Sequence, residues 1–123
     1  MIAADTSAWV DYAKGLESGA ARRLEAALSE GTIVIPPPVQ FEILSGPGLT
    51  PEDRRAILDL PPLELLPGFW ERAGALRAAL LRKGAKARAM DCLIAQNCID
   101  HGVSLIASDQ DFRHFASHGL KLI

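Results

Sequence analysis

The chain opens on a short apolar run, Ile2-Ala3-Ala4, that stops at the polar triplet Asp5-Thr6-Ser7. This pattern predicts a buried strand, then a helix from about Ser7 to Ala13 that Gly15 ends. A second helix should open at Ser18 or Gly19, bury Leu24, Ala27 and Leu28, and stop at Gly31. The β-branched run Thr32-Ile33-Val34-Ile35 reads as another buried strand. Three prolines follow, and Pro38 fits the first turn of a helix over Val39–Leu44. Thr50-Pro51-Glu52-Asp53 combines a cap, a proline and two acids, so a helix starts there and ends near Leu60. Leu63–Leu66 is a candidate short strand, and Gly68–Lys83 a long helix. Ala89–His101 is the next helix, Ser104–Ala107 a strand, Ser108–Phe112 the start of a helix, and Leu120–Ile123 a last strand.

Strands separated by helices predict an α/β fold, with a short, mostly parallel sheet and helices on both faces. The 123 residues suffice for one domain, residues 1–123, with a real core. In such sheets, ligands bind beyond the carboxyl ends of the strands. Asp5 follows the first strand and Asp109 follows the Ser104–Ala107 strand, so both belong to one rim. Each alone has a default role as a helix cap.

Asp91 has no such default. On the Ala89–His101 helix, Met90, Ile94, Ala95 and Cys98 share an apolar side, and Asp91 falls inside it. Gln96 and Asp100 point the other way, as residues of a solvated face. A carboxylate among apolar residues is costly unless it is paired, protonated or bound to a cation. Glu42 lies at the edge of the apolar side of its own helix.

If Asp5, Glu42, Asp91 and Asp109 converge, their repulsion calls for a cation. Oxygen donors without His or Cys favour Mg²⁺, or Mn²⁺ in its place, over zinc. Such a centre suits phosphodiester hydrolysis. Thr6, Ser7 and Ser108 are placed to hydrogen-bond the acids or a phosphate, and Asp111, one helical turn in, is a secondary candidate ligand.

Charge refines this picture only locally. The net charge is −2, so no global basic field argues for a polyanionic partner. Yet no acid falls between Glu71 and Asp91, whereas Arg72, Arg77, Arg82, Lys83, Lys86 and Arg88 do. The run ends a helix, where cations belong by default. It also provides candidate nucleic-acid contacts at Arg82, Lys83, Lys86 and Arg88. Cys92 and Cys98 lie six apart on one helix and are not placed to bridge, which fits a reducing compartment. With no basic region ahead of the first apolar run and no membrane-length apolar stretch, a cytoplasmic location is expected.

Four segments in order carry a resemblance: Ile2-Ala3-Ala4-Asp5-Thr6-Ser7, Phe41-Glu42-Ile43-Leu44-Ser45-Gly46, Asp91-Cys92-Leu93-Ile94-Ala95 and Ser108-Asp109-Gln110-Asp111-Phe112. Together they span nearly the whole chain. The sequence resembles PIN domains, and in particular the VapC-like ribonuclease toxins of toxin–antitoxin pairs. The resemblance implies a three-layer α/β/α fold, with Asp5, Glu42, Asp91 and Asp109 as the acidic Mg²⁺ site. It also implies RNA cleavage, a toxin homodimer and a small antitoxin that inserts residues into the active-site groove. The alternative within the family is a non-catalytic PIN-like module that binds RNA or protein. An aspartate-nucleophile phosphatase would need an acid where Ser7 stands. A signalling receiver would need an aspartate within Thr32–Pro38, and none is there.

Overall fold

A computed structural model describes residues 1–123. Its centre is a parallel pair, β1 (Ile2–Ala4) and β2 (Ser104–Ile106), with Ile2 opposite Ser104 and Ala4 opposite Ile106. Both strands therefore end on the same rim. Single parallel bridges widen the pair, joining Ile2 to Ile33, Ile35 to Pro62, and Leu105 to Leu122. The segments expected as strands at 32–35 and 120–123 are thus reduced to isolated bridges, and the one expected at 63–66 is absent, its neighbouring bridge falling on Pro62. Prolines at 36, 61 and 62 bound two of them and remove ladder donors.

Helix α1 (Thr6–Ala13) packs on α2 (Gly19–Glu30), and α2 also meets β2. Helix α3 (Pro37–Leu44) starts one residue before Pro38, with Pro37 at the first position where a missing N–H costs nothing. It contacts both α1 and α6. Helix α4 (Pro51–Leu58) is capped by the Thr50 hydroxyl, which accepts from the Asp53 amide (3.1 Å). Helix α5 (Phe69–Arg82) packs along α6 (Ala89–His101). The last helix, Gln110–His118, is a 3₁₀ helix. Its three-residue turn stacks Phe112 and Phe115 on one buried face, which explains the tighter winding.

Helix α6 is the most enclosed helix. All five residues from Ile94 to Cys98 are buried, including Gln96 and Asn97. The solvated face expected for Gln96 and Asp100 does not exist, because α5 lies over it. Arg72 of α5 grips Asp100 with two hydrogen bonds, Nε to Oδ1 (2.9 Å) and Nη2 to Oδ2 (2.7 Å). Gln96 Nε2 donates to the same Oδ1 (2.8 Å). This guanidinium first of all holds Asp100's carboxyl below the usual carboxylate range. Asn97 Nδ2 donates to the Leu63 carbonyl (3.1 Å), and His101 Nε2 to that of Glu64 (2.7 Å), tying the loop before α5 to α6.

The core is one apolar cluster that includes Trp9, Leu24, Ile35, Leu105, Phe112 and Phe115. Phe69 is also buried, while Tyr12 and Trp70 are exposed. Both cysteines are free and buried, and burial pushes the Cys98 thiol up to about 12. No helix is long and apolar enough to cross a membrane.

Candidate active site

The rim where β1 and β2 end carries a cleft of about 270 Å³. Its lining includes five carboxylates, Asp5, Asp11, Glu42, Asp91 and Asp109, together with Thr6, Ser7 and Arg88. The four acids singled out from the sequence share this cleft, although they arrive from four elements.

Asp5 is the innermost, with only 1% of its surface exposed. It caps α1 in the expected way, Oδ1 accepting from the Ala8 amide (2.7 Å). Its other oxygen accepts from the backbone amides of Ser108 (3.0 Å) and Asp109 (3.1 Å). One carboxylate thus ties the end of β1 to the loop after β2. Burial raises its pKa, against the pull of these three amides. The backbone repeats the link, as Asp5 N–H donates to the Ile106 carbonyl (2.9 Å).

Glu42 projects from α3, and Thr6 Oγ1 donates to its Oε1 (2.6 Å). Asp109 caps the 3₁₀ helix, Oδ1 accepting from the Asp111 amide (2.8 Å). Its Oδ2 lies 3.8 Å from Arg88 Nη1. Asp91 sits half-buried in the first turn of α6. Burial, then the charges of Asp109, Glu42 and Asp5, push its carboxyl up to about 6, and Arg88 opposes the shift.

Asp111 is not in the lining. It turns to Lys86, with Oδ2 3.3 Å from Nζ. Ser7 lines the cleft from α1, while Ser108 works through the acids: its amide holds Asp5 and its hydroxyl donates to Asp11 (2.9 Å). Asp11, which also accepts from Ser18 Oγ (3.2 Å), is the acid that the sequence reading passed over. The available signal was its place one helical turn after Ser7.

The basic run divides. Arg72 is engaged by Asp100, and Arg77 Nε donates to the Ala87 carbonyl (2.9 Å). Arg82 and Lys83 end α5, exposed. Arg88 alone lines the cleft.

No three His, Cys, Asp or Glu side chains close tightly enough, as they stand, to hold an ion among them. The donor chemistry nevertheless fits a hard cation: all oxygen, strongly anionic, with the Asp91 carboxyl driven toward neutrality by burial and by its neighbours. An ion that keeps several waters needs few direct protein ligands.

Comparison with known proteins is decisive for the family. The PIN domain model matches residues 2–117. The chain belongs to the PIN domain family. Ribonuclease VapC11 of Mycobacterium tuberculosis is 38% identical over 120 residues, covering 91% of this chain and 89% of its own. A VapC ribonuclease of Mycobacterium bovis matches to the same extent. Among solved structures, VapBC2 of Rickettsia felis bound to a promoter DNA fragment superposes with a TM-score of 0.71 at 23% identity, covering 100% of this chain and 98% of that one. DNA-bound VapBC of Salmonella typhimurium gives the same TM-score at 22% identity, covering 100% of this chain and 98% of that one. These structures share the fold of this PIN domain: seven helices around a short parallel sheet, in three α/β/α layers.

Proposed function

We propose that this PIN domain is a divalent-cation-dependent endoribonuclease, the toxin member of a toxin–antitoxin pair, acting as a single unit over residues 1–123. The observation that carries this reading is Asp91, held among like charges at the rim of the sheet, with Asp5, Glu42 and Asp109 in the same cleft. A carboxylate in that position is stabilised by an external cation better than by any side chain already there.

Asp5, Glu42, Asp91 and Asp109 would hold Mg²⁺, which Mn²⁺ could replace, and Asp111 would shape the site through the 3₁₀ helix. When bound, the ion supplies charge for the phosphate oxygens and lowers the pKa of an attacking water. The chain supplies the geometry. Thr6 fixes the rotamer of Glu42, and the Ser108 and Asp109 amides fix Asp5. Ser108 and Ser18 hold Asp11 against the wall of the cleft. Ser7 faces the cleft from the exposed side of α1 and is free to meet a phosphate. Arg82, Lys83, Lys86 and Arg88 offset the repulsion between an acidic site and a polyanionic substrate.

The partner reading rests on the surface beside the cleft. An apolar groove of about 640 Å³ opens there, with Trp9, Tyr12, Ile43, Leu49 and Ile57 in its walls, and Val10 borders both cavities. An antitoxin segment can lay apolar residues in the groove and send a basic one into the acids. VapB-type partners accompany VapC in the similar solved complexes, which supports this assignment. Exposed Trp70, open to 65%, offers apolar surface for a homodimer. An RNA substrate and two free cysteines fit a cytoplasmic location.

The test is cleavage of an RNA pool with and without Mg²⁺. Asp91→Asn should abolish cleavage while leaving the circular dichroism spectrum unchanged, whereas Asp5→Asn should abolish it and also lower stability, because an amide NH₂ cannot accept the backbone N–H bonds that both Asp5 oxygens take. Full activity in Asp91→Asn would overturn the site. RNA binding without any cleavage by the parent protein would establish the non-catalytic alternative.

A further inference from the structure

The cleft has one basic residue among five acids, and its placement is built rather than incidental. The segment from Gly84 to Arg88 joins α5 to α6. Ala85 N–H donates to the Leu80 carbonyl (3.0 Å), and Arg77 clamps the carbonyl of Ala87, whose side chain is buried. The Arg88 carbonyl accepts from Cys92 N–H (3.0 Å) and begins α6. Arg88 itself has extended backbone angles, φ −66° and ψ 145°. In an extended segment alternate side chains face opposite ways. Ala85 and Ala87 turn inward, and Lys86 and Arg88 turn out towards the loop after β2. The backbone at Arg88 is therefore fixed on both sides, while its side chain stays 59% exposed.

The two cations are not equivalent. Lys86 pairs with Asp111 outside the cleft. Arg88 reaches into it and stands 3.8 Å from Asp109, too far for a hydrogen bond. Its planar fork of donors is left without a matched acceptor. Guanidinium binds phosphate through two parallel N–H···O contacts, a geometry that lysine does not reproduce.

We propose that Arg88 grips the scissile phosphate, exchanging its loose ion pair with Asp109 for a two-pronged contact to the phosphate oxygens. The assignment rests on the ribonuclease reading and narrows it, separating Arg88 from Arg82 and Lys83. Those two lie beyond the cleft and meet only flanking phosphates.

The test compares Arg88→Gln, Arg88→Lys and the pair Arg82→Gln/Lys83→Gln. RNA binding is read by fluorescence anisotropy with a labelled single-stranded RNA pool in EDTA, where no cleavage occurs. Mn²⁺ binding is read separately by calorimetry. Arg88→Gln should weaken RNA binding about tenfold, the order expected for one charge-assisted contact. It should slow single-turnover cleavage at saturating RNA by about a hundredfold, with Arg88→Lys recovering only part of both. Arg82→Gln/Lys83→Gln should weaken binding but slow the saturated rate far less than Arg88→Gln does. Unchanged RNA affinity in Arg88→Gln, with Mn²⁺ bound more tightly, would make Arg88 merely a counter-ion for Asp109 and overturn the proposal. If the parent protein binds RNA without cleaving it, the ribonuclease reading fails, and the loss of binding in Arg88→Gln still decides whether this arginine meets phosphate.

Discussion

Helix α6 carries an aspartate near each end, and the two are handled in opposite ways. Asp91 and Asp100 lie nine residues apart, about 13 Å along the axis. Asp100 is neutralised within the protein by the Arg72 fork and the Gln96 amide, which together hold its carboxyl low. Asp91 is pushed up to about 6, first by burial and then by the three other acids it faces. The last turn of the helix is therefore a finished structural joint. The first turn is an electrostatic problem that the chain leaves to a ligand. An acid whose charge is satisfied at home supports the fold, and one whose charge is left over marks a site.

The sharpest way to break this comparison is to neutralise each aspartate in turn. Asp91→Asn should lower RNA cleavage about a thousandfold, the upper range for one electrostatic contact to a reacting group. Asp100→Asn should leave the rate within about twofold, because Arg72 and Asp100 lie outside the cleft. Equal losses in a cleavage assay would remove the distinction.

Stability should respond next, through cation binding. Mg²⁺ or Mn²⁺ at a hundred times its dissociation constant should stabilise the fold by about 2.7 kcal/mol, visible as a rise in Tm. Asp91→Asn should erase most of that rise, and Asp100→Asn none of it.

The pH dependence without cations sharpens the contrast further. The folded state raises the pKa of Asp91, so it binds this proton more tightly than the unfolded chain does. Stability from this group is full below the ordinary carboxylate pKa and is lost as pH rises to about 6. Asp100 has the opposite sign, its contribution being present at neutral pH and lost only as pH falls through its lowered pKa. In EDTA, Tm should therefore decline between about pH 4 and pH 6, and Asp91→Asn should flatten that decline. Asp100→Asn should instead lower Tm by a few degrees at pH 7. Among the substitutions at the site, a smaller loss than at Asp91 belongs to Thr6→Val, which frees Glu42 without touching the core. It should cost about tenfold in cleavage, with Tm nearly unchanged.

Local chemistry made much of this readable in advance. The cap at Asp5, the proline start of α4 and the glycine stop at Gly31 follow from backbone groups a few residues apart. The Asp91 anomaly was legible because helical period alone puts a carboxylate on an apolar side. The same period misplaced Gln96 and Asp100, since it describes one helix and is blind to α5 lying across it. Arg72 was counted with the basic run for the same reason. Asp11 was missed because its partners, Ser18 and Ser108, are 7 and 97 residues away.

The sequence by itself determined the order of the helices, the parallel α/β plan and the rim positions of Asp5 and Asp109, because these rest on short-range periodicity and on strand ends; Glu42 and Asp91 joined them only through the resemblance to PIN domains. Only the tertiary structure decided which charges cancel. It assigned Arg72 to Asp100, Lys86 to Asp111 and Arg88 to the cleft. Charge interactions depend on distance through space, and the chain places groups side by side that are far apart along it.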